Sequence, residues 1–193
     1  MDDTHEPDRS HEAASAAGVA TEPSNPRQLL AVYLRDHLAG AAAGLSLAER
    51  CQHSNAGTAL GDVLAEIVTE IAADRQALVG IMDGLAVSEN HLKSVLGKAA
   101  ELVGRVKSNG TLVHYSPSSR VAELEGLLAG IDAKRNLWRS LRIAASVDDA
   151  LDPVELDHLI ERATSQRDRL AVEHDRAARI AFAPPVGADR PTL

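Results

Sequence analysis

QLLAVYLRDHLAGAAAGLSLAER, residues 28–50, is the stretch whose periodicity decides the fold. At about 100° per residue, Leu30, Leu34, His37, Leu38, Ala41, Leu45 and Ala48 fall on one arc of a helix. Arg35, Ser46, Glu49 and Arg50 fall on the opposite arc. The spacing predicts an amphipathic helix with one histidine, His37, near the middle of its buried stripe and Asp36 on the flank. Gly40 and Gly44 lie one turn apart on the edge of that face. Glycine inside a helix costs roughly 1 kcal/mol against alanine, so the pair predicts a neighbouring helix that packs unusually close.

The remainder of the chain has the composition such a helix needs around it. Hydrophobic residues are 45 % of the 193, yet aromatics are only 2 %, and alanine and leucine supply most of the rest. That composition favours helices over strands and predicts a thin core, in a chain of a length suited to one domain. A net charge of −8 argues against non-specific nucleic-acid binding as the main role. The single cysteine, Cys51, cannot form an internal disulfide, which fits a cytoplasmic location. MDDTHEPDRS at the start has no apolar run and reads as no secretory signal, and no stretch is apolar enough to predict a membrane span.

Outward from the first helix, CQHSNAG (51–57) reads as a short link, which makes the next helix an antiparallel neighbour. That helix, about 58–83, places Leu60, Leu64, Ile67, Ile71, Leu78 and Met82 on one face. Asp74 and Arg75 straddle the face, Glu70 sits at its margin, and Glu66 points further out. Ser88 is the expected cap of a third helix, 89–107, with Leu92, Val95, Leu96, Ala99, Val103 and Val106 inward. TLVHY (111–115) reads as a brief extended piece. Ser116-Pro117 opens a fourth helix, to about 145, whose apolar stripe shifts near Gly126 and Gly130 through either a bend or a break into two. Asp152-Pro153, with Glu155 following, opens a fifth that runs to about Phe182. Residues 1–26 are expected to be a disordered acidic tail and 184–193 a frayed one. The expected architecture is all-α: an up-and-down bundle of about five helices over 27–183, without repeats.

Register places the candidate site. His37 lies as many residues before Ser54, the middle of the first hairpin, as Ile71 lies after it. An antiparallel pair therefore brings His37 level with Glu70 and Asp74. A buried imidazole needs a hydrogen-bond partner, and a carboxylate on the adjacent helix is the expected one. His37, Glu70, Asp74 and Arg75 are read as a buried polar cluster, joined by His174 if the last helix packs beside the first. Its first reading is a polar pin that sets helix register, with no cofactor. Its second is a site for a divalent metal, since histidine and carboxylate suit several such ions. A ferritin-like di-iron centre needs two inward Glu-x-x-His pairs. The chain has one, Glu155 to His158, in a first turn where Glu155 better offsets free N–H groups.

KRNLWRSLR, 134–142, carries four basic residues and no acidic one around the only tryptophan. Trp138 reads first as a core anchor. Alternatively Trp138, Arg139 and Arg142, or the Gly40/Gly44 edge, form a contact face for a protein partner or a second copy. A salt-sensitive membrane-surface or nucleic-acid adaptor through Arg135, Arg139 and Arg142 is a third possibility. Cys51 and His53 lack an evident orienting group, and His5 and His11 read as solvated tail residues.

YLRDHLAG (33–40), EIAADR (70–75), YSPSSR (115–120) and NLW (136–138) resemble an actinobacterial-type family of Ala-rich helical proteins. The resemblance covers nearly all of 28–182. It implies a ferritin-like-looking bundle and carries over no catalytic residue. The leading expectation is a non-catalytic cytoplasmic protein acting through helix-face contacts, as a homodimer or with a protein partner. The alternative is a metal-binding bundle related to ferritin-like oxidoreductases.

Overall fold

A side-chain cap opens each helix of the computed structural model, which describes residues 25–88 and 116–183. The helices are α1 (Pro26–Ser54), α2 (Ala59–Gly84), α3 (Pro117–Ala144) and α4 (Pro153–Phe182). Asn25, Thr58, Ser116 and Asp152 each accept from a backbone N–H of the first turn that would otherwise lack a partner. Proline stands at the start of α1, α3 and α4, where its missing N–H costs nothing. Between α1 and α2 the chain turns on Gly57, held at φ 77°, and Thr58 Oγ1 donates to Asn55 O at 2.7 Å. The turn closes so tightly that a Cβ on Gly61 would stand 2.2 Å from Asn55 O.

The described residues are all helix and turn, with no strand among them. α1 and α2 form one antiparallel hairpin and α3 and α4 another. Tyr33 Oη donates to Ser140 Oγ at 3.4 Å and Arg50 meets Glu123 at 3.7 Å, so α1 and α3 run antiparallel. Asp74 pairs with Arg162 and Glu66 with Arg169, which sets α2 antiparallel to α4. The order around the bundle is therefore α1, α2, α4, α3. α2 and α3 run the same way, and the end of one and the start of the other lie at opposite ends. The four described helices thus run up, down, down, up, not in strict alternation. Short links force antiparallel neighbours at the α1–α2 and α3–α4 turns, and residues 85–116 are too many to impose that rule. The expected third helix, 89–107, and the extended piece 111–115 lie outside the described residues, as do most of the two tails. α3 is a single helix through Gly126 and Gly130.

The core falls into two apolar clusters. Leu34, Leu38, Leu78, Met82, Trp138, Leu141, Leu156 and Leu159 pack at one end. Ala48, Cys51, Leu64, Ile67, Leu124, Leu127 and Leu170 pack at the other. On α2, α3 and α4 the residues at the boundary are polar: Asp74, Lys134 and Gln166. On α1 the same level is occupied by small residues, Gly40 to Gly44. A polar layer and a hollow thus meet halfway along the bundle. No helix among the described residues is long and apolar enough to cross a membrane.

Candidate functional site: a glycine-walled pocket over a buried ion cluster

The hollow is a pocket of about 280 Å³ between α1, α2 and α3. Its α1 wall is Gly40, Ala41 and Gly44, and its α3 wall includes Gly126 and Gly130. A Cβ built on Gly40, Gly44 or Gly130 would meet nothing within 4 Å, and one on Gly126 would meet only Leu47 Cδ2, at 3.2 Å. The close helix approach expected at Gly40 and Gly44 is therefore not made there. An absent side chain either admits a neighbour or leaves a gap. Here the facing helix also presents glycine, so neither side fills the space. Ile71 and Leu78 of α2 and Leu127, Ile131 and Leu137 of α3 complete an apolar lining, while Asp36 and His37 flank the pocket on the α1 side.

Asp74 and Lys134 are the charged residues on its inner side. Asp74 is 1 % exposed. Its Oδ2 accepts from Lys134 Nζ at 2.5 Å and from Gln166 Nε2 at 3.0 Å. Its Oδ1 accepts from Arg162 Nε at 2.7 Å, with Arg162 Nη2 closing a two-pronged contact. Lys134 Nζ also donates to Gln166 Oε1 at 2.5 Å. A carboxylate this deep is tolerable only when paired and hydrogen-bonded, and α3 and α4 supply the partners. Burial holds the Lys134 ammonium below the ordinary lysine pKa, with the attraction of Asp74 opposing that shift.

His37 lies beside the pocket, half-buried, with its ring edge-on to Tyr33 at 4.5 Å and 72°. Burial pushes its pKa down, against the raising effect of Asp36. No hydrogen bond joins it to Glu70 or Asp74, although it lines the same pocket as Asp74. The carboxylate partner expected for it is thus absent. The axial register is as the hairpin count implies, but side-chain direction differs. Asp74 points toward α3 and α4, and Glu70 pairs with Arg169. Arg75 is half-buried and takes no part in the cluster. His174 lies against Glu125 and Asp175, at 3.4 Å from each, because α4 is diagonal to α1. The five residues grouped from the sequence therefore do not form one cluster: His37 and Asp74 line the same pocket without bonding, and Glu70, Arg75 and His174 lie apart from them. Among the described residues no set of three or more His, Cys, Asp and Glu is placed to hold a metal ion.

Trp138 is 1 % exposed, so it belongs to the core and offers no contact face. It also lines the pocket, and its indole N–H has no acceptor. Arg139 is exposed and Arg142 pairs with Asp157 at 3.0 Å, so the basic stretch divides between core and surface. Cys51 is buried and donates to Glu123 Oε2 at 3.6 Å. Burial, then the Glu123 charge and hydrogen bond, push its thiol up to about 12, which removes it as a nucleophile near neutral pH. His158 is exposed, 3.7 Å from Glu161, outside any cluster.

Lys134, Arg162 and Gln166 are the members of the ion cluster that the grouping read from the sequence left out. The signal for Lys134 was present: it continues the inward series Leu127, Ile131, Trp138 and Leu141 along α3. Searches against family models, curated proteins and solved structures found nothing that matches this chain.

Proposed function

We propose that this is a binding protein whose working part is the α1/α2/α3 pocket, which takes up one small, largely apolar molecule. The observation that carries the reading is that glycines on two facing helices keep a hollow open directly beside a buried ion cluster. Alanine at Gly40, Gly44 or Gly130 would meet no obstacle. Each would also gain roughly 1 kcal/mol of helix propensity. A sequence under no demand but stability would close such a gap. The volume is at the lower edge of small-molecule sites, and a mainly apolar lining with a few convergent polar groups is their usual character.

Trp138, the only tryptophan, lines the pocket and supplies the readout. Titration with 1-octanol should change its emission saturably, with one molecule bound per chain. Gly40→Leu, which fills the hollow, should abolish the change while the helical circular dichroism stays the same. A wild-type protein whose Trp138 emission never saturates up to the solubility limit would end this reading.

Self-association is a second reading, supported by exposed Leu29, Val32, Ile143, Val147 and Val154, which the helix directions bring to one end of the bundle. Sedimentation across a hundredfold concentration range tests it, and an unchanging monomer rejects it. The two hairpins, with the end of α2 and the start of α3 at opposite ends, support reading the layout as ferritin-like, a class with one long crossover. That layout alone implies no metal chemistry.

A further inference from the structure

We infer that the protein pairs with a second copy of itself through the outer face of α3, the two α3 helices running antiparallel about a two-fold axis. This rests on the self-association reading above and adds the face and the register.

α3 carries two stripes. The buried one, from Val121 through Leu124, Leu127 and Ile131 to Trp138 and Leu141, faces the core. The other looks outward: Ala122, Gly126, Ala129 and Ala133 in the first half, then Asn136, Ser140, Ile143 and, in the turn just past the helix end, Val147. These eight follow at alternating intervals of four and three; all are exposed and none is charged. A solvated helix face normally carries charges, and α4 places Glu161, Asp168, Asp175 and Arg179 among its exposed positions. A repeat of 3.5 residues held over about three heptads is instead the pattern by which one helix receives another. Nor is the stripe merely small: Ile143 is 75 % exposed and Val147 89 %. Exposed Leu29 and Val32 of α1 lie beside that end, since Tyr33 meets Ser140.

Size identifies the occupant. An axis between Ala133 and Asn136 sets the stripe against its own copy large on small. Val147 stands opposite Ala122, Ile143 opposite Gly126, Ser140 opposite Ala129 and Asn136 opposite Ala133, each pair equally far from the axis. A parallel pairing would crowd Ile143 against Ile143 and leave Gly126 facing Gly126 across a gap. Asn136, the one amide in the seam, stands next to the axis, and a single polar residue there fixes register. Gly126 and Ala133 also border the pocket, so the second copy's Ile143 comes to rest at the edge of that site.

Charge along the flank agrees with the same register. Glu125, Asp132 and Arg139 follow at seven-residue spacing beside the stripe, acidic first and basic last. A two-fold axis brings the same edge of both helices together, so each copy's Arg139 stands about 3 Å in height from the other's Asp132. Within its own chain Glu125 lies against His174, and Asp132 meets Arg135 and Arg167. Among the described residues Arg139 has no ion-pair partner, and the contact supplies one. A parallel pair would instead set Arg139 beside Arg139.

Cysteine cross-linking tests the face and the register, at exposed positions that leave the core untouched. Cys51, being buried, stays out of the reaction. Position 133 stands three residues, about 4.5 Å, from its own copy along the axis. With helix axes about 8 Å apart, that is within reach of a disulfide. Position 129 stands eleven residues, about 16 Å, from its own copy. Under mild oxidation Ala133→Cys should run as a covalent dimer on a non-reducing gel and Ala129→Cys as a monomer. An equal mixture of Ala129→Cys and Ser140→Cys chains should give the dimer again. In sedimentation Ala129→Arg should weaken the wild-type dimer at least tenfold, and Val154→Asp, off the seam, less than twofold. A wild-type dimer that Ala133→Cys does not link overturns this face and leaves self-association standing. Equal linking by Ala129→Cys overturns the antiparallel register. A wild type that stays monomeric removes both readings.

Discussion

Asp74→Ala is the substitution that should cost the bundle most for its size. The carboxylate is 1 % exposed and accepts hydrogen bonds from Lys134, Gln166 and Arg162. Its three partners lose unequally. Arg162, with 37 % of its side chain exposed, can turn to water, so its share is that of a surface pair, about 0–1 kcal/mol. Lys134, with 15 % exposed, is left as a buried cation without a counter-ion, a loss of about 3–5 kcal/mol. Gln166 keeps its bond from Lys134 but loses an acceptor for its own N–H groups, about 1–3 kcal/mol for a buried group. These terms share atoms and do not add, so the expected loss is about 3–5 kcal/mol. That is a large part of the total stability of about 5–15 kcal/mol typical of a domain. Urea unfolding, followed by far-ultraviolet circular dichroism and Trp138 emission, measures it. The double variant Asp74→Leu with Lys134→Met, which removes the stranded charge, should recover most of the loss. A cost below 1 kcal/mol for Asp74→Ala, or no recovery in the double variant, would refute the argument that the ion cluster is desolvated.

Glycine position gives a paired prediction. Gly61→Ala should destabilise by more than about 1 kcal/mol because its Cβ meets backbone. Gly130→Ala should instead raise the melting temperature, by helix propensity worth roughly 1 kcal/mol, since nothing stands within 4 Å of the added carbon. The lowered pKa of His37 means that the unfolded chain takes up its proton first as pH falls. Stability should therefore decline from about pH 6.5 and level off below the folded-state pKa. His37→Gln should flatten that part of a pH series of urea midpoints, and parallel curves for the two proteins would count against the assignment. Cys51, with its thiol pushed from 9.0 up to about 12, should alkylate with iodoacetamide at pH 8 roughly a thousandfold more slowly in the native protein than in urea, from thiolate fraction alone. Equal rates would mean that the thiol is open to solvent.

Helix starts were legible because their causes are local. Ser116-Pro117 and Asp152-Pro153 carry their caps within three residues, and no tertiary contact is needed to read them, whereas Asn25 and Thr58 were not read as caps. The buried stripes of α1 and α2 followed from periodicity, and so did the level at which His37 meets α2, since a short turn fixes axial register. The direction in which a side chain leaves its helix at that level was not legible. His37 was expected to meet Asp74, yet Asp74 turns to Lys134, Gln166 and Arg162, residues sixty or more positions away. Lys134 sat in a basic stretch whose first reading was Trp138 as a core anchor, with no partner assigned to Lys134, and only packing against α2 and α4 made it a buried partner. The glycines show the same divide. Gly40 and Gly44 announce a missing surface on α1, but whether that surface is contact or cavity depends on what α3 places opposite it. The amino-acid sequence by itself determined where the four described helices run, among the five expected, and which stripe of each is apolar, because those depend on interactions within one or two turns. The tertiary structure alone decided the up-down-down-up arrangement, the partners of Asp74 and the pocket, because each depends on how separate helices rotate and pair across distances that local patterns do not encode.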